Sequence, residues 1–160
     1  MSHVFRIETQ LMIPTQSSAR LLRESREYLG VELDDLISLK VFRISTESES
    51  KPEHIEEVFV DSIMEQVYWS DGLSTLENIP VWTIEIQFRP GVTDNVARSA
   101  EEALGLVGIN SARVATGQLW LVYGGVSRES VGRVALELLA NDLIQRVDIR
   151  DWTETLAWNR

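Results

Sequence analysis

Ile84-Glu85-Ile86-Gln87-Phe88 restates Ile7-Glu8-Thr9-Gln10-Leu11, and the correspondence continues along the chain. Ala97-Arg98 falls on Ala19-Arg20, and Val107-Gly108-Ile109 falls on Leu29-Gly30-Val31. The run Phe59 to Asp71 lies on Leu139 to Asp151 without a gap, with Val67 on Val147. Few pairs are identical, but apolar faces, chain breakers and element order agree, which is how an internal repeat reads. A repeat restricts the fold. One copy alone has a modest core and unpaired strand edges. Two copies side by side can pair an edge into one continuous sheet, with four helices over one face. The units are expected at 1–72 and 79–152, with 153–160 a C-terminal tail or the start of a linker.

Alternation and breakers give the elements of the first copy. Phe5, Ile7, Thr9 and Leu11 alternate with Arg6, Glu8 and Gln10, which predicts a half-buried strand ended by Pro14. Ser17 or Ser18 is expected to cap a helix with the inner stripe Leu21, Leu22, Ser25, Tyr28 and Leu29, stopped at Gly30. Leu36 to Ile44 reads as a strand and Ser45 to Lys51 as a loop. Ser50, Pro52 and Glu53 form a capping box, followed by a helix with the stripe Ile55, Val58, Phe59 and Ser62 or Ile63. Met64 to Ser70 closes the copy as a strand, and a connector runs from Asp71 to Asn78.

In the second copy Trp82, Ile84, Ile86 and Phe88 alternate with Thr83, Glu85, Gln87 and Arg89 until Pro90-Gly91 breaks the strand. Thr93 or Asp94 caps a helix with the stripe Val96, Ala100, Ala103, Leu104 and Val107. Ala112 to Tyr123 reads as two short strands about a turn at Thr116-Gly117, ended by Gly124-Gly125. Ser127 caps a fourth helix with the stripe Val131, Val134, Ala135, Leu138 and Leu139, and Ile144 to Ile149 is the last strand. The sheet face away from the helices then carries Arg6, Glu8, Gln10, Thr83, Glu85, Gln87 and Arg89. These residues tolerate water and equally suit a polar docking face.

The residues offer no catalytic set. There is no cysteine, and His3 and His54 lie in separate segments without ligand spacing, so neither a catalytic residue nor a metal site is expected. Glu56-Glu57 and Glu101-Glu102 are helical neighbours that point to different faces and do not converge. Gly105 to Gly108 and Gly124-Gly125 lack the spacing of a phosphate loop. Trp120, Trp152, Trp158 and Tyr123 lack the interleaved cations of a base-stacking platform, and a net charge of -10 repels phosphate. Arg146, Asp148 and Arg150 share a strand face, as a surface ladder or a partner contact. No run approaches the ~20 apolar residues of a membrane span, and the first residues have no cationic stretch before an apolar one. A cytoplasmic chain that binds neither nucleic acid nor membrane is expected.

Phe88-Arg89-Pro90-Gly91-Val92-Thr93-Asp94-Asn95-Val96 resembles the strand-to-helix junction of the PurS family. Thr116-Gly117-Gln118, and Glu137-Leu138-Leu139-Ala140-Asn141-Asp142-Leu143-Ile144-Gln145 with its leucine–leucine–alanine–asparagine signature, extend the resemblance across most of residues 80 to 151. The first copy keeps the element order and Val60 to Glu65, but has Ile13-Pro14-Thr15-Gln16 where the family shows proline–glycine and an acidic residue. The resemblance implies an α+β fold of tandem ferredoxin-like units, with an antiparallel sheet and helices on one face.

It further implies a non-catalytic component of phosphoribosylformylglycinamidine synthase in purine biosynthesis. Such a component bridges the synthase and glutaminase parts, in trans or fused downstream, so the chain is expected to be either a natural subunit or an excised N-terminal domain. ATP and magnesium are implied only for the partner synthase, no cofactor for this chain, and a homodimer is compatible. Partner contacts are expected at Arg89, Asp94, Asn95, Arg98, Asn141, Gln145 and Arg146. A tandem ACT-like regulatory module is the alternative, with a small molecule at the Pro90 to Asp94 turn.

Overall fold

The structure, a computed structural model, describes residues 3–11, 16–47, 52–60, 65–69 and 72–158. It is an α+β fold on a six-stranded antiparallel sheet. The strands are β1 (His3–Leu11), β2 (Asp35–Thr46), β3 (Glu65–Trp69), β4 (Trp82–Phe88), β5 (Arg113–Tyr123) and β6 (Gln145–Asp151). Their order is β3-β1-β2-β5-β4-β6. The helices are α1 (Gln16–Leu29), α2 (Pro52–Phe59), α3 (Asn95–Leu106), α4 (Arg128–Val134) and α5 (Trp152–Trp158); a π-helical turn, Ala135–Leu139, continues α4.

Two apolar clusters form between the sheet and helices α1 to α4. Ile55 and Phe59 of α2 and Ala97, Ala100 and Leu104 of α3 pack on Ile7, Phe42 and Ile44. Leu21 of α1 and Val131 of α4 pack on Leu36, Ile84, Ile86, Trp120 and Val122. Each cluster takes one helix from each half of the chain, so the halves share a core as well as a sheet.

The opposite face is covered too, which corrects the expectation of helices on one face only. The connector forms a 3₁₀ turn, Gly72–Thr75, whose Leu73 is fully buried on Leu39, Val41, Tyr68, Leu119, Leu121 and Tyr123. The Tyr123 hydroxyl holds the connector by donating to the Asn78 carbonyl at 3.0 Å. Residues 153–158, read from sequence as a C-terminal tail or the start of a linker, belong to α5. Asp151 Oδ1 accepts from the Glu154 amide, capping that helix, and the Thr83 and Thr155 hydroxyls pair at 2.7 Å between strand and helix.

Other expectations shift locally. Ser17 and Ser18 lie inside α1, and Tyr28 is exposed while Leu21 and Ser25 face inward. The Ser25 hydroxyl donates to the Val31 carbonyl across the turn at Gly30, whose φ of 66° suits glycine. β2 runs on through Ser45 and Thr46. Asp94, not Thr93, caps α3. The inner stripe of α3 is Ala97, Ala100 and Leu104, while Val96 and Val107 are exposed, a phase one residue away from the expected one at its start. Pro14, Ser50, Ser62 and Ile63 lie outside the described residues.

β5 is one continuous strand, not two strands about Thr116-Gly117, because β2 pairs along its whole length. Gly117 is there for close approach: a Cβ at this position would sit 2.8 Å from the Ile86 carbonyl oxygen. Gly117→Ala should therefore force the β4–β5 ladder apart and destabilise by about 1–3 kcal/mol in chemical denaturation. An unchanged midpoint would show that the ladder has slack there.

Candidate functional site

β1 and β4 each place a glutamate on the face away from α1 to α4, and both are buried: Glu8 is 0% exposed and Glu85 1%. Water does not solvate them, contrary to the sequence expectation for this face; arginines do. Glu85 Oε1 accepts from Arg6 Nη1 at 2.6 Å and from Arg43 Nη2 at 2.7 Å, and Oε2 accepts from Arg150 Nη1 at 2.8 Å. Glu8 Oε1 accepts from Arg6 Nε at 2.6 Å. Arg6 reaches Glu85 across β2 and β5, and the sparse side chains of Ala115 and Gly117 on β5 leave space for it. Four strands, two from each half of the chain, thus meet on one carboxylate.

The two glutamates are pushed in opposite directions. Burial raises the Glu85 pKa, but Arg6, Arg43 and Arg150 together outweigh it and pull the carboxyl down to about 2. Burial raises Glu8 as well; Arg6 offsets this only in part and Glu85 adds repulsion, leaving it at about 7. Arg6 stays charged despite its burial because both carboxylates face it. Two buried donors in this layer, Arg6 Nη2 and Gln87 Nε2, have no acceptor among the described residues.

Beside the network lies a cleft of about 220 Å³, between β5, the end of β4 and the turn through Pro90 and Gly91. It exists because β4 stops at Phe88 while β5 extends past it. Side chains of α3 replace the missing strand: Asp94 Oδ2 accepts from the Thr116 amide and Glu101 Oε1 from the Val114 amide, each at 2.9 Å. Asp94 Oδ1 accepts from the Ala97 amide, so one carboxylate both caps α3 and fastens it to β5.

The structure gathers four of the seven predicted contact residues around the turn before β6. Arg89 Nε donates to the Asp142 carbonyl, and its amide to the Ile144 carbonyl, both at 2.8 Å. The Asn141 amide donates to Gln145 Oε1, and Arg146 Nη2 donates to Gln87 Oε1. Asp94 lines the cleft with Arg89. Asn95 and Arg98 lie exposed on α3, apart from this group. Asp148 stands 3.6 Å from Arg146 and 3.8 Å from Arg150, the ladder expected on β6, although Arg150 also turns inward to Glu85.

Among the described residues no group of three or more His, Cys, Asp or Glu is placed to hold a metal, and no helix is long and apolar enough to cross a membrane. No family model and no curated protein matches the chain.

The residues that sequence reasoning missed as a site are Arg6, Glu8, Arg43, Glu85 and Arg150. The three partners of Glu85 lie 42 to 79 positions from it, beyond any local pattern, while Arg6 and Glu8 are only two apart. One signal was present: laying Ile84 to Phe88 over Ile7 to Leu11 puts Glu85 on Glu8. Chemically the arrangement binds charge. Its carboxylates are held by guanidinium groups, so the arrangement pairs buried charges of opposite sign.

Proposed function

We propose that the chain is a PurS-like assembly module, a tandem of ferredoxin-like units that holds the glutaminase and synthase parts of phosphoribosylformylglycinamidine synthase together in the cytoplasm. It does no chemistry itself, and ATP and magnesium belong to the partner synthase.

The observation that carries the reading is the register at the centre of the sheet. Placing Ile7 on Ile84 puts Phe42 on Trp120 and Trp69 on Ile149 through the strand ladders. The last pair agrees with the gap-free sequence match of Val67 on Val147. By the same correspondence Lys40 falls on Gln118, and these two pair with each other across β2 and β5. That register is the one a two-fold axis between them would give, which supports two copies that pair as a dimer would. Each half runs β-α-β-α-β, one strand short of the full β-α-β-β-α-β ferredoxin-like order. The likeness therefore rests on helices layered over an antiparallel sheet.

The proposed docking surface is the turn before β6. Arg89, Asn141, Gln145 and Arg146 gather there beside Leu143 and Ile144, exposed at 82% and 40%. Exposed apolar side chains ringed by polar ones are what an interface uses. Mixed at micromolar concentration with the cognate synthase and glutaminase, the chain should co-elute in a ternary complex and raise glutamine-dependent turnover. Leu143→Asp should weaken that complex at least tenfold without moving the melting temperature. Absence of association by the parent chain would reject the reading.

A further inference from the structure

We infer that β6 is a self-pairing edge: it joins β6 of a second copy of the chain, antiparallel about a two-fold axis at Val147. The inference does not rest on the assembly role.

β6 is a terminal strand of the sheet, bonded to β4 on one side only. The Arg89 amide donates to the Ile144 carbonyl, and that bond sets the phase of the ladder. Residues 144, 146, 148 and 150 turn their main-chain groups to β4, while Val147 and Ile149 turn theirs outward. Among the described residues no group bonds to these outward ones. Nor does a helix close the edge. α5 leaves the end of β6 and turns inward over β4, where Thr155 meets Thr83 at 2.7 Å. α4 lies on the other sheet face, where Val147 and Ile149 join the cluster around Val131.

Charged side chains guard an edge when pairing would set like charges opposite each other. Here the signs alternate: Arg146, Asp148 and Arg150 share the face away from α1 to α4. Two β6 strands paired about Asp148 would set Asp148 on Asp148 and Arg146 on Arg150, like on like. Moving the axis one residue, to Val147, sets each Arg146 opposite the Asp148 of the other copy. That axis also makes Val147 a hydrogen-bonded pair with itself, as its outward groups require. An axis at Ile149 would use Arg150 instead, but Arg150 is 12% exposed and committed to Glu85 at 2.8 Å. Arg146 is 54% exposed, gives one nitrogen to Gln87 and stands 3.6 Å from its own Asp148, so donors remain for a second carboxylate. β3, the other terminal strand, has Gln66 and Tyr68 on this face, and neither brings a charge to meet Arg146 or Asp148. Charge complementarity therefore favours β6 of the second copy as the occupant. A pairing this short buries little surface, so the dimer is weak and concentration-dependent. It covers Gln145 and Arg146, and so competes with the docking proposed at the turn before β6.

Sedimentation velocity of the full chain tests this at ~0.15 M salt, where repulsion between copies of net charge -10 is screened. Between ~10 µM and ~1 mM the parent should pass from monomer toward dimer. Amide hydrogen exchange at Val147 and Ile149 should slow over the same range, and exchange along β3 should not. Arg146→Asp alone and Asp148→Arg alone should each weaken the dimer at least tenfold, since each sets like charges opposite. An equimolar mixture of the two should dimerise again, because each variant supplies the charge that the other lacks. A parent that stays monomeric at ~1 mM, or dimerises without added protection at Val147, would overturn the proposal whether or not the variants fold. Folded Arg146→Asp that dimerises like the parent, or a mixture no tighter than either folded variant alone, would overturn it too.

Discussion

Glu85→Ala should destabilise the protein by about 3–5 kcal/mol at neutral pH, the range for leaving buried charges without their partner. Glu85 is 1% exposed and receives three guanidinium groups, from Arg6, Arg43 and Arg150. Removing it leaves Arg6 with Glu8 alone and strands Arg150 beside Asp148 at 3.8 Å. Glu8 would then ionise more readily, since its repulsive neighbour is gone, and recover part of the loss. An exposed pair offers the contrast. Arg20–Glu24 spans 3.5 Å with Arg20 58% exposed, so Glu24→Ala should cost under about 1 kcal/mol. Urea denaturation of both variants measures the difference. Equal small losses would mean that the network is a solvated surface feature.

Stability should also fall as the pH rises from about 4.5 to above 7, and Glu8→Gln should abolish that fall. The folded pKa of Glu8, about 7, lies above its ordinary value of 4.5. A group of this kind contributes fully below pH 4.5 and loses its contribution as pH climbs through 7. Glu85, held at about 2, does the reverse: its contribution is complete above pH 4.5 and is lost as pH drops toward 2. For Glu8 the loss amounts to roughly 3 kcal/mol at most. Among the described residues the other groups facing it, Arg6, Glu85 and Tyr68, keep one protonation state throughout that window, and the histidines are common to both proteins. Denaturation midpoints at pH 5 and pH 8 should diverge for the parent and coincide for Glu8→Gln. Parallel profiles would assign the pH response to another group.

Much of this fold was legible because local rules decide it. Alternation located β1 and β4, Gly30 and Gly91 marked turns through their positive φ, and Ser127 capped α4 as its chemistry requires. Alternation and the chain breakers also gave the order of strands and helices from β1 to β6. Errors arose where a residue serves a distant part of the chain. Gly117 looks like a turn residue but makes room for the Ile86 carbonyl on the next strand. Asp94 was legible as a cap, while its second task of closing the edge of β5 depends on where β4 ends. Glu101 looks solvated in a charge run, yet it satisfies the Val114 amide. Glu8 and Glu85 alternate with apolar residues as solvent-facing residues do; only the assembled sheet brings Arg6, Arg43 and Arg150 to them.

Both halves of the chain contribute to each helix-side core cluster, and Arg6 of the first half is bound to Glu85 of the second. The 160 residues should therefore unfold as one cooperative unit and not as two small domains. Differential scanning calorimetry tests this most directly. A single transition with equal calorimetric and van't Hoff enthalpies is predicted. Two resolved transitions, or a calorimetric enthalpy about twice the van't Hoff value, would show that the halves fold independently and would contradict a shared sheet and core.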